Sequence, residues 1–290
     1  MAPMQESLSA QLEKIRRDGK ITAQIDTYVT LGPGDATRFV YVYCDLHPTE
    51  DVCFVACGGN GTLNEVASGM VGFPNKSLAI ISYGACNDFI KYYPQYDFTR
   101  VEAIFRGTPV DVDILKVNDN YAINVCNFGF DSVVCSTAIN YAPSKHLNPY
   151  YIGIAKALLT ARFNRISVKV DGEKIGGRRM LLCALANAKY VGGEFNCAPM
   201  AKIDDGKIEV IFVPTMSLLT FFKMLPVYAA GKCLEHPTFS KKIIYRQAVH
   251  VEVASKRLIE LCLDGEMLPG KTFSIDLLPK AIKLVLPATE

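Results

Sequence analysis

Hydrophobic and polar residues follow two different patterns along this chain. In the first part, short apolar runs alternate with stretches in which apolar residues recur every three or four positions, which is the period of a helix. The clearest case is the run 53–57, which ends in glycines and is followed by Leu63, Val66 and Met70 at helical spacing. We therefore predict a buried parallel strand, a glycine turn and a helix, within an α/β domain over residues 1–113.

Weaker signals predict the other elements of this first domain. Residues 5–17 carry an amphipathic pattern that predicts a helix. Residues 25–31 and 78–82 have the composition of strands. A second helix is expected from Asp35, as its N-cap, through Tyr43.

In the second part, apolar and polar residues alternate over short stretches that are separated by turn-forming Asn, Asp and Gly. The predicted strands are 114–117, 121–125, 166–170, 180–186, 208–213, 249–253, 258–263 and 273–277. Many short strands predict a β-rich, sandwich-like domain over residues 114–280, interrupted by helices at 150–162 and 217–231. The strand-like tail within 281–290 is expected to rejoin the first domain.

Composition excludes several classes of protein. The 31 basic and 29 acidic residues give a net charge of +2, which does not favour a nucleic-acid partner. The ten cysteines include no Cys-x-x-Cys pair and no signal peptide is evident, so we expect a reducing, cytoplasmic location. The four histidines show no metal-ligand spacing.

The most apolar stretch is 216–231. Lys223 and Pro226 interrupt it, and it is too short to be a transmembrane segment. Two interpretations remain open: a helix packed in the core, or a helix that lies in a membrane interface with Phe221 to Tyr228 against the lipid.

The glycine turn at 58–61 carries the main functional signal. A helix that starts directly after such a turn points its free backbone N–H groups outward, which is a typical phosphate site. The alternative is a tight turn in which glycine only permits an unusual backbone conformation. Thr62, Asn64 and Glu65 follow at fixed offsets and favour the phosphate site.

Residues 58–66 read Gly-Gly-Asn-Gly-Thr-Leu-Asn-Glu-Val, which resembles the Gly-Gly-Asp-Gly-Thr-x-Asn-Glu-Val signature of the diacylglycerol kinase, sphingosine kinase and bacterial lipid kinase family. Residues 84–89 resemble the family's Gly-Thr-x-Asn-Asp-Phe loop, with Ala85 in place of threonine. The resemblance runs from about Thr30 to Pro287. It implies a three-layer α/β domain of the NAD kinase and diacylglycerol kinase type, followed by a β-sandwich-like domain.

The resemblance also implies an activity and its partners. It implies an ATP- and Mg²⁺-dependent kinase that phosphorylates diacylglycerol or a related lipid, peripherally associated with a membrane surface, and it is compatible with a homodimer. The implied nucleotide-binding residues are Thr30, Gly58, Gly59, Asn60, Gly61, Thr62, Leu63, Asn64, Glu65, Ala85, Asn87 and Asp88. Two local alternatives stay open. Asn87 and Asp88 could serve merely as helix caps, and Thr30 could have no contact with the nucleotide, since a threonine at the end of a strand is common.

Two acidic turns in the second part complete the implied site. In Leu263-Asp-Gly-Glu266, the resemblance makes Glu266, together with Asp264, the proton acceptor, although Asp-Gly is also a common hairpin turn. At 201–207, it implies Mg²⁺ held by Asp205 and the main-chain oxygens of Lys202 and Lys207. The alternative is that this second segment forms a turn that holds no metal ion.

Two departures from the family bear on catalysis. The sequence shows no strand ending in the family's Asn-Pro-x-Ser-Gly phosphate loop before residue 5, and we expect unpaired backbone groups at a sheet edge as a result. Asn60 lacks the charge of the family's aspartate, which costs about 2–3 kcal/mol in the step that uses it. A lipid- or nucleotide-binding protein without catalysis is therefore a second hypothesis. A kinase that acts on NAD fits less well, because residues 84–89 and 263–266 both resemble the lipid branch.

Overall fold

The structure is a computed structural model that describes residues 2–18, 23–140, 149–160, 164–175, 179–193 and 195–289. The chain forms two compact units. The first unit comprises Met1–Val112 and Ala281–Glu290, and the second comprises Asp113–Lys280.

The first unit is an α/β structure. Its elements are α1 (Ala2–Arg17), α2 (Asp35–Leu46), β1 (Val52–Gly58), α3 (Asn60–Met70), β2 (Lys76–Ser82), α4 (Val101–Ile104), the start of β3 (Thr108–Val117) and the end of β14 (Glu266–Leu286). β1 runs parallel to β2 along its whole length, and Leu284 of β14 lies opposite Leu78 of β2 in parallel orientation. β2 is buried over Leu78–Ile81, as expected of a strand in the interior of a parallel sheet.

Close packing of α2 against α3 depends on Gly69. A Cβ atom at Gly69 would lie 2.7 Å from the carbonyl oxygen of Thr37 and 2.8 Å from Cβ of Val40. The absent side chain therefore lets the two helices approach, and the second half of α3 packs on the start of α2.

Three expectations for the first unit need correction. Residues 25–31 form no strand, and Leu31 is 88% exposed; strand propensity alone does not hold a segment that lacks a hydrogen-bonded neighbour. Gly34, not Asp35, is the N-cap of α2, which continues to Leu46. The carboxylate of Asp35 instead accepts hydrogen bonds from the Leu31 N–H and the Tyr28 hydroxyl.

β1 lies at the edge of its sheet. In the part of the chain that the structure describes, its ladder partner is β2 and no other strand pairs with it. Cys53 and Val55 on its outer face are exposed.

The second unit is β-rich. Its elements are the end of β3, β4 (Asn120–Ala122), β5 (Val125–Gly129), α5 (Phe130–Asn140), α6 (Pro149–Thr160), β6 (Asn164–Val170), β7 (Glu173–Lys174), β8 (Arg179–Ala186), β9 (Tyr190–Val191), β10 (Phe195–Asn196), β11 (Ile208–Pro214), α7 (Leu218–Ala229), β12 (Ile244–Ala248), β13 (His250–Leu263) and most of β14. β5, β8, β11 and β12 pair in that order, each antiparallel to the next. Alternate residues of these strands enter two apolar cores, one around Phe128 and Phe212 and the other around Phe221 and Tyr228.

The second unit also departs from the prediction. The strand expected at 121–125 is divided between β4 and β5, and the predicted strands 249–253 and 258–263 are one strand, β13, with an irregularity after Ala254. The helix α5 was not predicted. It begins after Gly129, whose φ of 87° redirects the chain from β5 into the helix. Residues 161 and 162 of the predicted helix 150–162 lie outside the described residues.

No helix in the described ranges is both long and apolar enough to cross a bilayer. The apolar stretch 216–231 instead forms the twelve-residue helix α7 and its flanks.

Candidate functional site

The turn between β1 and α3 leaves the start of the helix without a side-chain cap. Gly59 has extended backbone angles of −109° and −160°, and no side chain caps the helix from this position. The first N–H groups of a helix have no acceptor inside the helix, and together with the helix dipole they attract an anion. The start of α3 therefore has the geometry of a phosphate site.

A second glycine loop packs directly on this turn. The carbonyl oxygen of Gly58 accepts hydrogen bonds from the N–H groups of Tyr83 (2.9 Å) and Gly84 (3.1 Å). A Cβ atom at Gly84 would collide with the Cα atom of Gly59 and would lie 2.6 Å from Oδ1 of Asn87. The Asn87 amide donates to the Gly84 carbonyl at 2.6 Å. Glycine at position 84 is therefore required by contact between two stretches of backbone.

Asn60 and Asp88 join the two loops through a reciprocal pair of hydrogen bonds. Nδ2 of Asn60 donates to Oδ2 of Asp88 at 3.0 Å, and Oδ1 of Asn60 accepts the Asp88 N–H at 2.8 Å. The other carboxylate oxygen of Asp88 accepts from the Lys91 ammonium group at 2.9 Å. Asp88 is only 4% exposed, so an amide and an ammonium group replace the water that its charge has lost.

This pairing gives a physical meaning to the departure at position 60. An aspartate there would place a second carboxylate about 3 Å from that of Asp88, a repulsive arrangement unless a proton or a cation lies between the two groups. The asparagine supplies one donor and one acceptor to Asp88. It therefore joins the two loops without a shared proton or a bound cation.

The remaining implied nucleotide residues differ in their surroundings. The two carboxylate oxygens of Glu65 accept the Gly34 and Ala36 N–H groups at 2.9 and 3.0 Å, so this side chain caps α2. Leu63 and Asn64 are buried. Thr30 is half-buried in the segment before α2, and Ala85 is exposed. The structure thus groups residues 58–62 with Ala85, Asn87 and Asp88, and gives Glu65 a structural role.

In the second unit, Asp264 and Gly265 form the two-residue hairpin between β13 and β14. Both have positive φ, 49° and 100°, and Leu263 pairs with Glu266 across the turn. The hairpin expectation was thus correct, and the turn also fixes where its two carboxylates lie.

The Asp264 carboxylate is held by three backbone groups. Oδ2 accepts the N–H groups of Ile123 (2.7 Å) and Asn124 (3.1 Å), and Oδ1 accepts that of Val125 (2.7 Å). Burial raises the pKa of Asp264 to about 6 against the opposing effect of these donors. Glu266, in contrast, is exposed. Asp264 therefore positions the turn, and Glu266 is its exposed carboxylate.

Asp131 is a further carboxylate near this hairpin that the sequence interpretation missed. It lies in the first turn of α5, and one turn later Sγ of Cys135 donates to the Gly265 carbonyl at 3.4 Å. Oδ2 of Asp131 is buried without a hydrogen-bond partner, and burial raises the pKa of Asp131 to about 7. An acidic residue two positions after a strand-ending glycine is a helix-start signal that would have predicted both α5 and this residue.

The implied metal turn is tied to another buried acid. Oδ1 of Asp205 accepts the Lys207 N–H at 3.1 Å, and Gly206, with φ of 72°, donates to Oδ2 of Asp113 at 2.7 Å. Oδ1 of Asp113 accepts the Lys280 N–H at 2.7 Å. Burial raises the pKa of Asp113, and the nearby charges of Asp205 and Asp204 raise it further.

This turn therefore concentrates negative charge and oxygen donors, which fits a hard cation such as Mg²⁺. The described residues contain no group of three or more His, Cys, Asp or Glu side chains arranged to hold a metal ion. A cation here would thus depend on main-chain oxygens and water as well as on Asp205.

Comparisons with known proteins agree with this architecture. Residues 5–117 match the family described as Diacylglycerol kinase catalytic domain, and residues 124–286 match the YegS C-terminal NAD kinase beta sandwich-like domain. A diacylglycerol kinase of Bacillus subtilis (strain 168) is 29% identical over an alignment of 294 positions, which covers 97% of this chain and 90% of that protein. A diacylglycerol kinase of Staphylococcus saprophyticus subsp. saprophyticus is 31% identical over an alignment of 265 positions, which covers 87% of this chain and 82% of that protein.

A solved structure shows the same fold. The crystal structure of a diacylglycerol kinase from Bacillus anthracis str. Sterne matches with a TM-score of 0.65 at 22% identity, over 89% of this chain and 83% of that one. Fold and sequence together place the chain in the lipid kinase class. It belongs to the diacylglycerol kinase family, in the form that carries the YegS-type C-terminal domain, and this confirms the resemblance and the predicted fold class.

The Asn60–Asp88 pair predicts how stability responds to Asn60→Asp. The change replaces a charge-assisted hydrogen bond with repulsion between carboxylates, so we expect the free energy of unfolding to fall by about 2–4 kcal/mol in EDTA at pH 7.5. Millimolar Mg²⁺ should restore part of this loss, because two carboxylates can share a divalent cation. Urea denaturation measures both effects, with the exposed Asn75→Asp as the control for added charge. Equal stability of Asn60→Asp and the wild type in EDTA would contradict this interpretation.

Asp131 predicts a pH dependence of stability. The folded chain keeps the Asp131 proton up to a pKa of about 7, whereas an unfolded chain loses it near pH 4. The folded state therefore binds more protons between these values, and the contribution of Asp131 to stability decreases as the pH rises through this range.

Asp131→Asn, which cannot ionise, should remove that decrease. We expect it to be about 1–3 kcal/mol more stable than the wild type at pH 8, allowing for solvent access to part of the side chain, and close to the wild type at pH 5. Urea denaturation at the two pH values, with the exposed Asp45→Asn alongside, tests this. The same difference at both pH values would show that ionisation of Asp131 is not involved.

Proposed function

We propose that this protein is an ATP- and Mg²⁺-dependent kinase that transfers a phosphoryl group to the hydroxyl of diacylglycerol or a related lipid, at a membrane surface. The observation that carries the proposal is the uncapped start of α3, where two glycine loops meet, in a chain of the diacylglycerol kinase family.

The first unit would bind the phosphates of ATP. The N–H groups at the start of α3 would face the phosphate oxygens. The absence of side chains at Gly59 and Gly84 lets the loop 83–88 pack directly on the turn that precedes α3. Asn60 would act on this site by holding the loop 83–88 in place, because both of its amide atoms are used by Asp88.

Glu266 of the second unit would accept the proton of the lipid hydroxyl. It is the exposed carboxylate of the hairpin, and Asp264 fixes the turn that presents it. A carboxylate that accepts this proton makes the hydroxyl oxygen a better nucleophile toward the γ-phosphate of ATP.

Mg²⁺ would be held by Asp205 with the main-chain oxygens of Lys202 and Lys207. It would neutralise charge around the turn that carries Asp204 and Asp205, next to Asp113. The protein's own contribution is to keep this turn folded, through the hydrogen bond from Gly206 to Asp113.

One observation favours a second candidate function, a lipid- or nucleotide-binding protein that does not catalyse transfer. The charge of Asp88 is already compensated by the Lys91 ammonium group, and its second carboxylate oxygen accepts a hydrogen bond from Asn60, which weakens its attraction for a cation. In this alternative the loops still bind a nucleotide, but the site lacks the second carboxylate that the family signature implies at position 60, beside Asp88.

Transfer of labelled phosphate from ATP to diacylglycerol in mixed micelles tests the proposal. The wild type should be active with Mg²⁺, and Glu266→Gln should lower kcat at least about 100-fold, the usual contribution of a general base. Asp264→Asn should also reduce the free energy of unfolding, by about 1–3 kcal/mol, because an amide nitrogen would face backbone donors. Glu260→Gln, an exposed glutamate of β13, is the matched control.

Three outcomes would revise this account. An inactive wild type that is still stabilised by ATP would favour the non-catalytic alternative. Full activity of Glu266→Gln would remove Glu266 as the base. Loss of activity in Asp264→Asn with unchanged stability would make Asp264 the base instead.

A further inference from the structure

One helix of the second unit exposes large apolar side chains to solvent. α7 buries Phe221, Met224 and Tyr228 in the core of the unit. Its opposite face presents Leu219 and Phe222, which are 69% and 55% exposed. Of the two interpretations left open for this segment, core packing therefore holds for Phe221, Met224 and Tyr228, and the outward face is formed by other residues of the helix.

The chain around this face is strongly basic. Residues 210–251 contain five basic residues and one acidic residue, Glu235. The basic residues are Lys223, Lys232, Lys241, Lys242 and Arg246. This excess of four positive charges contrasts with the net charge of +2 for all 290 residues. The imbalance is thus local to this part of the second unit.

Two of these lysines line an open cavity together with the start of α7. The cavity has a volume of about 750 Å³. Lys241 and Lys242 lie on its wall with the hydroxyl groups of Ser217 and Thr220, and Met216 contributes apolar surface. In the part of the chain that the structure describes, no acidic side chain forms an ion pair with either lysine. The cavity therefore combines cationic and hydroxyl donors, as an anionic headgroup requires.

We propose that the outward face of α7 and the cavity with Lys241 and Lys242, together the basic-apolar surface, dock on an anionic phospholipid bilayer. Leu219 and Phe222 enter the interfacial layer, while Lys241 and Lys242 contact the phosphate groups of anionic lipids. This inference rests on the proposed function, since it states how a kinase with a lipid substrate reaches the membrane.

Charge complementarity selects the anionic bilayer as the partner. Isolated apolar side chains beside lysines suit a surface whose outer layer is anionic and whose next layer is apolar. A nucleic acid would use the lysines but would leave Leu219 and Phe222 in water. A bilayer of neutral lipids would use the apolar side chains alone.

Co-sedimentation of the full chain with vesicles tests the proposal, in the absence of ATP. Vesicles of phosphatidylcholine with phosphatidylglycerol should bind the wild type, and vesicles of phosphatidylcholine alone should bind it much more weakly. Lys241→Glu/Lys242→Glu should weaken binding to the anionic vesicles at least about 30-fold, the factor expected when two basic contacts with an anionic surface are lost. Raised salt should weaken binding of the wild type, because it screens the charges.

Two further variants separate the contributions of charge and apolar contact. Leu219→Ser/Phe222→Ser should weaken binding to anionic vesicles while leaving all lysines in place. Lys256→Glu/Arg257→Glu changes a neighbouring exposed basic pair of β13 by the same charge and should bind within about twofold of the wild type. Unchanged binding of Lys241→Glu/Lys242→Glu, or an equal loss in the Lys256/Arg257 variant, would overturn the proposal.

The kinase assay distinguishes failure of this inference from failure of the proposed function. Lys241→Glu/Lys242→Glu should keep its activity on a short-chain diacylglycerol in neutral detergent micelles and lose activity on anionic vesicles. A wild type that binds anionic vesicles through these residues but phosphorylates no lipid would refute the function and leave the docking surface standing. An active kinase whose vesicle binding depends neither on phosphatidylglycerol nor on Lys241 and Lys242 would refute the docking surface alone.

Discussion

The reciprocal hydrogen bonds between Asn60 and Asp88 are the interaction on which the first unit's candidate site depends. Asp88 carries a nearly buried carboxylate, and such a group is stable only when its lost hydration is replaced. Asn60 and Lys91 replace it, and in doing so they hold the loop 83–88 against the turn at 58–61. The contact between Gly59 and Gly84 is then possible because neither has a side chain.

A comparable division of roles exists in the second unit. Asp264 uses both of its oxygens to hold the chain at Ile123–Val125, which leads directly into β5 and from there into α5. The hairpin and the start of α5, with Asp131, are therefore organised by one carboxylate. Glu266 lies on the exposed side of the same turn. In both units a buried acidic side chain shapes the backbone next to the group that we propose contacts the ligand.

Much of the fold could be predicted because local signals agreed with the final structure. The run 53–57, the glycines and the helical spacing after Leu63 all specify one strand-turn-helix unit, and Asp264-Gly265 specifies a hairpin. The strand predicted at 25–31 does not form, because no neighbouring strand is present in the described part of the chain to pair with this segment. The helix α5 was not predicted because its sequence is rich in small and β-branched residues and has no clear polar stripe.

The candidate site was predicted less completely, for a different reason. A motif shows which residues are present, but it does not show which of their atoms are already used. Glu65 belongs to the signature, yet its oxygens cap α2. In the sequence, Asn60 is only a departure from the family's aspartate. The structure shows that its amide both donates to and accepts from Asp88. Asp131 stands outside the motifs described above and is recognised by its buried carboxylate oxygen, and the structural role of Asp113 is likewise recognised by its burial.

The most direct test of this account is a double-mutant cycle at Asn60 and Asp88, with Asn60→Ala, Asp88→Ala and the double variant compared with the wild type by urea denaturation. If the amide and the carboxylate stabilise each other across the two loops, the two single losses will exceed the loss in the double variant by about 1–3 kcal/mol. Losses that simply add would show that the two side chains do not hold the loops together, and would contradict the account of the first unit's site.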